Sequence, residues 1–83
     1  MSQYFFHLRD GVDVLVDREG VELEGLAAVS ALALREARSL ISQDALTGSI
    51  NLRQHLDVED AGGTVIHRLQ FEDAVSLVRS PPD

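Results

Sequence analysis

One long amphipathic helix, set between two stretches that alternate apolar and polar residues, limits what this chain can fold into. At about 100° per residue, Leu26, Val29, Ala33, Leu34, Ala37, Leu40 and Ile41 fall on one stripe. Arg35, Arg38, Ser39, Ser42 and Gln43 lie away from it. A helix is therefore expected over residues 26–47, with Gly25 as its N-cap and Gly48 as its stop. A lone helix has no second helix on which to bury its stripe, so its partner must be a sheet. Some 22 residues span roughly 33 Å as helix, against about 24 Å for a seven-residue strand. The helix should overhang its sheet at one end. Leu32 falls off the stripe near Ala28 and Leu46, where a lone surface Leu is ordinary.

The flanking stretches read as β-hairpins. Over residues 3–17 the turn is placed at Asp10-Gly11. A loop of Asp10-Gly11 alone pairs Arg9 with Val12 and Phe6 with Leu15, which spreads apolar residues over both faces. A loop of Arg9-Asp10-Gly11 pairs Leu8 with Val12, Phe6 with Val14 and Tyr4 with Val16, and gathers all six on one face. The second register is preferred, since a one-residue slip turns every side chain over. It sets Phe5 opposite Leu15 and His7 opposite Asp13. The second hairpin, residues 51–60 and 64–71, turns at Ala61-Gly62-Gly63. Pairing Val58 with Val65 aligns Leu52, Leu56, Val58, Val65, Leu69 and Phe71, with Gln54 and His67 among them. A neighbouring register sets His55 opposite His67. Residues 72–79 follow as a short helix, with Glu72 and Asp73 in its first turn. The expected fold is α+β: β-β-α-β-β with a short C-terminal helix, a mainly antiparallel four-stranded sheet packed on one long helix. It forms a single domain over 1–79, with 80–83 as a disordered tail carrying Pro81 and Pro82.

Charge and composition remove several function classes. Fourteen Asp and Glu face seven cations, all Arg, for a net charge of −7. That balance disfavours nucleic acid as the main partner. No Cys is present, so there is neither a disulfide framework nor a thiolate metal cage. No apolar run reaches the ~18 residues of a membrane span, and Met1–Asp10 lacks the pattern of a secretory signal.

Candidate chemistry is sparse. Asp17, Glu19, Glu22 and Glu24 crowd one segment, but without the spacing of a calcium loop; the plain reading is a solvated turn leading into the helix. His7 beside Asp13 is the most suggestive pair, because a carboxylate can orient an imidazole for acid–base work. Such cross-strand pairs also serve as ordinary sheet stabilisers. His55 and His67 would offer two nitrogens to zinc, with no third ligand evident. No Ser sits in a nucleophile elbow, and Gly62-Gly63 lacks the Lys of a phosphate loop. The sheet face away from the helix would carry Phe5, Leu15 and Ile66 among His7, Asp13, Asp57 and Arg68. An apolar centre with a charged rim has the make-up of a small interface. Residues 72–79 folding over that face are the alternative cover.

The opening Tyr4-Phe5-Phe6-His7, the segment Asp17-Arg18-Glu19-Gly20-Val21-Glu22, the Ala-rich helix with Ala37 and Arg38, and the hairpin ending at Phe71 resemble a family of short alphaproteobacterial proteins of unknown function. The resemblance covers nearly the whole chain. It departs where that family commonly has Pro-Asp before the helix, since Glu24-Gly25 stands here. It implies a bacterial cytoplasmic protein and no reaction, cofactor or catalytic residue.

The combined expectation is a non-enzymatic protein-interaction or regulatory module without cofactor or metal. Its surface would comprise Phe5, His7, Asp13, Leu15 and Ile66. Its partner would be a protein, basic in charge, or a second copy in a homodimer. Two alternatives stand beside it: a small hydrolase or ligand-binding protein using His7 and Asp13, and nucleic-acid binding through Arg35 and Arg38.

Overall fold

In the computed structural model, which describes residues 1–78, the helix α1 runs Leu26–Leu46. Its stripe buries Val29, Ala33, Ala37 and Ile41 completely or nearly so. Gly25 is the N-cap, and the last turn closes with Thr47 N–H donating to Asp44 O at 3.0 Å. Gly48 follows with φ +90°, the left-handed residue that ends many helices. Leu26, at the start of the stripe, and Leu46, off it in the last turn, are exposed.

The partner layer is an antiparallel sheet of five strands, one more than expected. These are β1 (Ser2–Asp10), β2 (Asp13–Leu15), β3 (Val21–Leu23), β4 (His55–Asp60) and β5 (Val65–Gln70). The order is β2-β1-β4-β5, and β3 joins the same side of β1 as β2. The two hairpins thus meet within one chain through β1 and β4, with Phe6 opposite Val58 and Leu8 opposite Leu56. Helix α1 packs on β4 and β5. Leu56 and Val58 are buried beneath it, and Tyr4, Phe6 and Leu8 pack at the margin of that core.

Several expectations are corrected. In the first hairpin Leu8 pairs with Leu15, Arg9 with Val14 and Asp10 with Asp13. The loop is Gly11-Val12, with Gly11 at φ +61° and no positive φ at Val12. That is the pattern of a type II′ turn, which needs Gly first and tolerates any residue second. Val12 stands fully exposed as a result. His7 therefore does not meet Asp13, nor Phe5 Leu15.

The second hairpin keeps its three-residue loop, with Asp60 N–H donating to Thr64 O, but the register differs from both expected ones. Glu59 pairs with Val65, and a bulge follows, so that Val58 pairs with His67 and His55 with Gln70. The extra residue is Ile66, which packs against the core. His55 and His67 are not cross-strand partners.

The second strand of the first hairpin also ends early. After Leu15 the chain leaves β1, turns, and returns as β3 beside Ser2–Tyr4. The acidic segment is thus a strand and its turn, and none of its carboxylates lies in the first turn of α1. The C-terminal helix is a single 3-10 turn, Phe71–Asp73. Phe71 and Ala74 are buried on the helix side, and Arg38 Nε donates to Ala74 O at 2.8 Å. Through residue 78 the segment does not cover the outer face; residue 79 and the expected tail 80–83 lie outside the described residues.

Candidate functional site

Three arrangements stand out near β1: one at its open edge, one on the outer face of the sheet and one on the helix side. The first fills the gap that β2 and β3 leave along the edge of β1. There the chain has no strand to pair with Phe6, and Asp17 takes that role. One carboxylate oxygen accepts the Phe6 N–H at 3.0 Å, while the other accepts the N–H groups of Glu19 (3.2 Å) and Gly20 (3.1 Å). The Asp17 N–H in turn donates to His7 Nδ1 at 3.0 Å. A buried backbone donor must find a partner, and a short carboxylate in a turn supplies one without a strand. Burial works against ionising Asp17, but the donors from Phe6, Gly20 and Glu19, and the charge His7 carries when protonated, outweigh it. The net effect lowers the Asp17 pKa below 3.8.

His7 is consequently committed. Its Nδ1 accepts a hydrogen bond, so in the neutral ring the proton sits on Nε2, which lies 3.4 Å from Glu59 Oε2. Gly20 closes the turn at φ +71°; a Cβ there would come within 2.8 Å of the Phe5 ring and 2.9 Å of Tyr4 O. The two sequence blocks that stood out, Tyr4–His7 and Asp17–Gly20, are therefore the two halves of one backbone clamp.

On the outer face Asp57, only 2% exposed, is the hub of an ion cluster. Arg68 Nε donates to its Oδ1 at 2.6 Å and Nη2 to its Oδ2 at 3.3 Å. Arg9 Nε lies 2.7 Å from Oδ2, and His55 Nε2 lies 3.6 Å from Oδ1, neither with hydrogen-bond geometry. Burial raises the Asp57 pKa; the Arg68 hydrogen bonds and the charges of Arg68, His55 and Arg9 more than reverse it, and it ends lowered. The outer face is thus polar and centred on Asp57, with Arg9 Nε and His55 Nε2 buried and without a hydrogen-bond partner.

The third arrangement lies on the helix side, at the β2 margin. A hollow of about 380 Å³ opens there between α1 and β2, lined by Phe6, Leu8, Leu15, Val16, Leu40 and Leu56, with Asp17 and Glu36 at its rim. A second hollow of about 190 Å³ adjoins it and shares Leu8 and Leu15. Leu15 is 70% exposed.

The five surface residues expected from sequence are accordingly divided. Phe5 and His7 lie on the outer face, both engaged by the clamp. Leu15 lies on the helix side, opposite Leu8, and Ile66 packs on the core from the other margin. Asp13 sits opposite Asp10 at the mouth of the turn. Sequence reasoning missed Asp17 and Asp57 as hubs. The spacing Asp17-x-Glu19-Gly20 carries the signal of an Asx turn, and Asp57 between two apolar strand residues announces the polar face. Among the described residues no three His, Asp or Glu side chains converge as metal ligands, and no helix is long and apolar enough to cross a membrane.

Curated proteins and solved structures yield no match to this chain. A family model does, over residues 3–72, from β1 through the 3-10 turn, and its description is a domain of unknown function. Over that span, which holds the clamp, the ion cluster and the apolar hollow alike, the chain belongs to the DUF6894 family.

Proposed function

We propose that this protein is a non-enzymatic interaction module, and that it docks its partner on the β2 margin of the helix-side sheet. One observation carries the reading: an apolar hollow left open beside an exposed Leu15 at a sheet edge. Apolar surface gathered into a concavity with polar groups at its rim is the form of a binding site. The hydrolase reading has less support, because Asp13 faces Asp10 while both ring nitrogens of His7 are engaged within the chain. The nucleic-acid reading has less support too, because the Nε of Arg38 is spent on Ala74 O. Bacterial cytoplasmic residence follows from the family resemblance alone, and a homodimer is one form the module can take.

A photo-cross-linking residue placed at Leu15, and separately at the exposed Val65 on the outer face, tests the reading in the producing cell. A discrete protein adduct from position 15, absent from position 65, is the expected result. No adduct, or the same adducts from both positions, would refute the docking surface.

A further inference from the structure

We propose that the open margin of the sheet seats an amphipathic helix with a basic rim, contributed by another protein. The inference rests on the interaction reading above and adds the nature of the occupant. It starts from a mismatch of widths. Four strands abreast span about 14 Å between their outer axes, while a helix is about 10 Å across. One helix is therefore about two strand spacings wide and leaves part of such a sheet uncovered. Helix α1 sits over β4 and β5. From β4 toward the β2 edge burial falls off strand by strand: Leu56 and Val58 on β4 are buried, Phe6 and Leu8 on β1 are half-buried, and Leu15 on β2 is 70% exposed.

The two flanks of α1 are treated differently. On one side the chain itself returns, with Phe71 and Ala74 buried and Val75 packed against the core. Among the described residues nothing fills the other side. What remains there is a trough alongside α1, floored by Phe6, Leu8 and Leu56 and walled by Leu40 and Leu15. A layer of that position is filled in two-layer folds by a second helix. Strand addition is the weaker fit, since β2 offers only three residues of edge.

Charge selects among helices. The two adjoining hollows are lined by Asp17 and Glu36, and by Asp10 and Asp13, with no Arg in either. Asp10 and Asp17 are hydrogen-bonded within the chain, while Glu36 and Asp13 are exposed. Positive side chains flanking the incoming apolar stripe would meet that rim and be guided to it. A second copy is the poorer occupant. Each carries −7, and the stripe of α1 is already spent on β4 and β5.

The test titrates the whole, isotope-labelled chain with two helical peptides of about 18 residues, five turns each. One is built from Leu and Lys, the other from Leu and Glu, with the same Leu pattern. The Leu–Lys peptide is expected to bind saturably, to move the amide signals of Leu15, Val16, Glu36 and Leu40, and to weaken as salt is added. Leu15→Ser, at an exposed position, is expected to weaken it about tenfold or more; the Leu–Glu peptide is expected not to bind. Equal binding of both peptides, binding that ignores Leu15→Ser, or signals moving on the outer face instead would overturn the inference. So would a free protein found as a dimer through these residues, which would make the second copy the occupant and leave the interaction reading standing. Failure of the Leu–Lys peptide alongside a position-15 cross-link would remove the basic helix alone; failure of both would remove the two together.

Discussion

Gly20 shows how tightly one residue is held in this fold. Its φ of +71° is costly for any residue with a Cβ, and the space that a Cβ would occupy already contains the Phe5 ring and Tyr4 O. Both penalties act in Gly20→Ala, so a loss of about 1–3 kcal/mol is expected in urea unfolding. An unchanged midpoint would mean that the turn relaxes freely and that the clamp is not what fixes it. The composition of the motif was legible in sequence: Asp17, Glu19 and Gly20 stood out beside Tyr4–His7. Its purpose was not. A carboxylate standing in for a missing strand is visible only once β2 is seen to stop at Leu15. The same limit applies to His7, whose partner is a backbone N–H ten residues on rather than the carboxylate expected across the turn.

At the scale of elements, helix α1 was readable almost to the residue, because a 3.6-residue period over six turns leaves little freedom. The middle of α1 is core and its two end residues, Leu26 and Leu46, are not. Ile41→Ala is therefore expected to cost about 2–5 kcal/mol, the range for emptying a buried aliphatic site. Leu46→Ala, in the overhanging last turn, is expected to stay within about 0.5 kcal/mol of wild type. Comparable losses at the two positions in thermal unfolding would show that the far end of α1 is covered in solution. The hairpins were readable as hairpins, but not in register. A glycine announces a turn without saying which loop position it takes: Gly11 serves as first loop residue, not last. The bulge at Ile66 has no sequence mark at all, since an alternating pattern reads the same with one residue inserted until the partner strand is placed.

Taken whole, the molecule is held by two carboxylates, Asp17 at the open edge of β1 and Asp57 on the outer face between β1 and β5. Both have folded pKa values below the ordinary 3.8. Their stabilisation is therefore fully present above that value and is lost as the pH falls through the lower, folded values. The thermal midpoint is expected to hold from about pH 6 down toward the carboxylate range and then to fall steeply toward about pH 2. Asp17→Asn should start lower and fall less. A wild-type midpoint flat to the acid end would show that neither carboxylate is held in its charged form by the fold. The sequence by itself determined the α+β class, the single long helix, the two turn sites and the acidic charge, because each of these is local: a period, a glycine, a sum. Tertiary structure alone decided the fifth strand, both registers, and the division of Phe5, His7, Asp13, Leu15 and Ile66 between two faces and a turn. It also decided which half of the sheet the helix leaves open. Those depend on which strand lies beside which, and strand neighbours are chosen by the burial of the whole chain rather than by any segment of it.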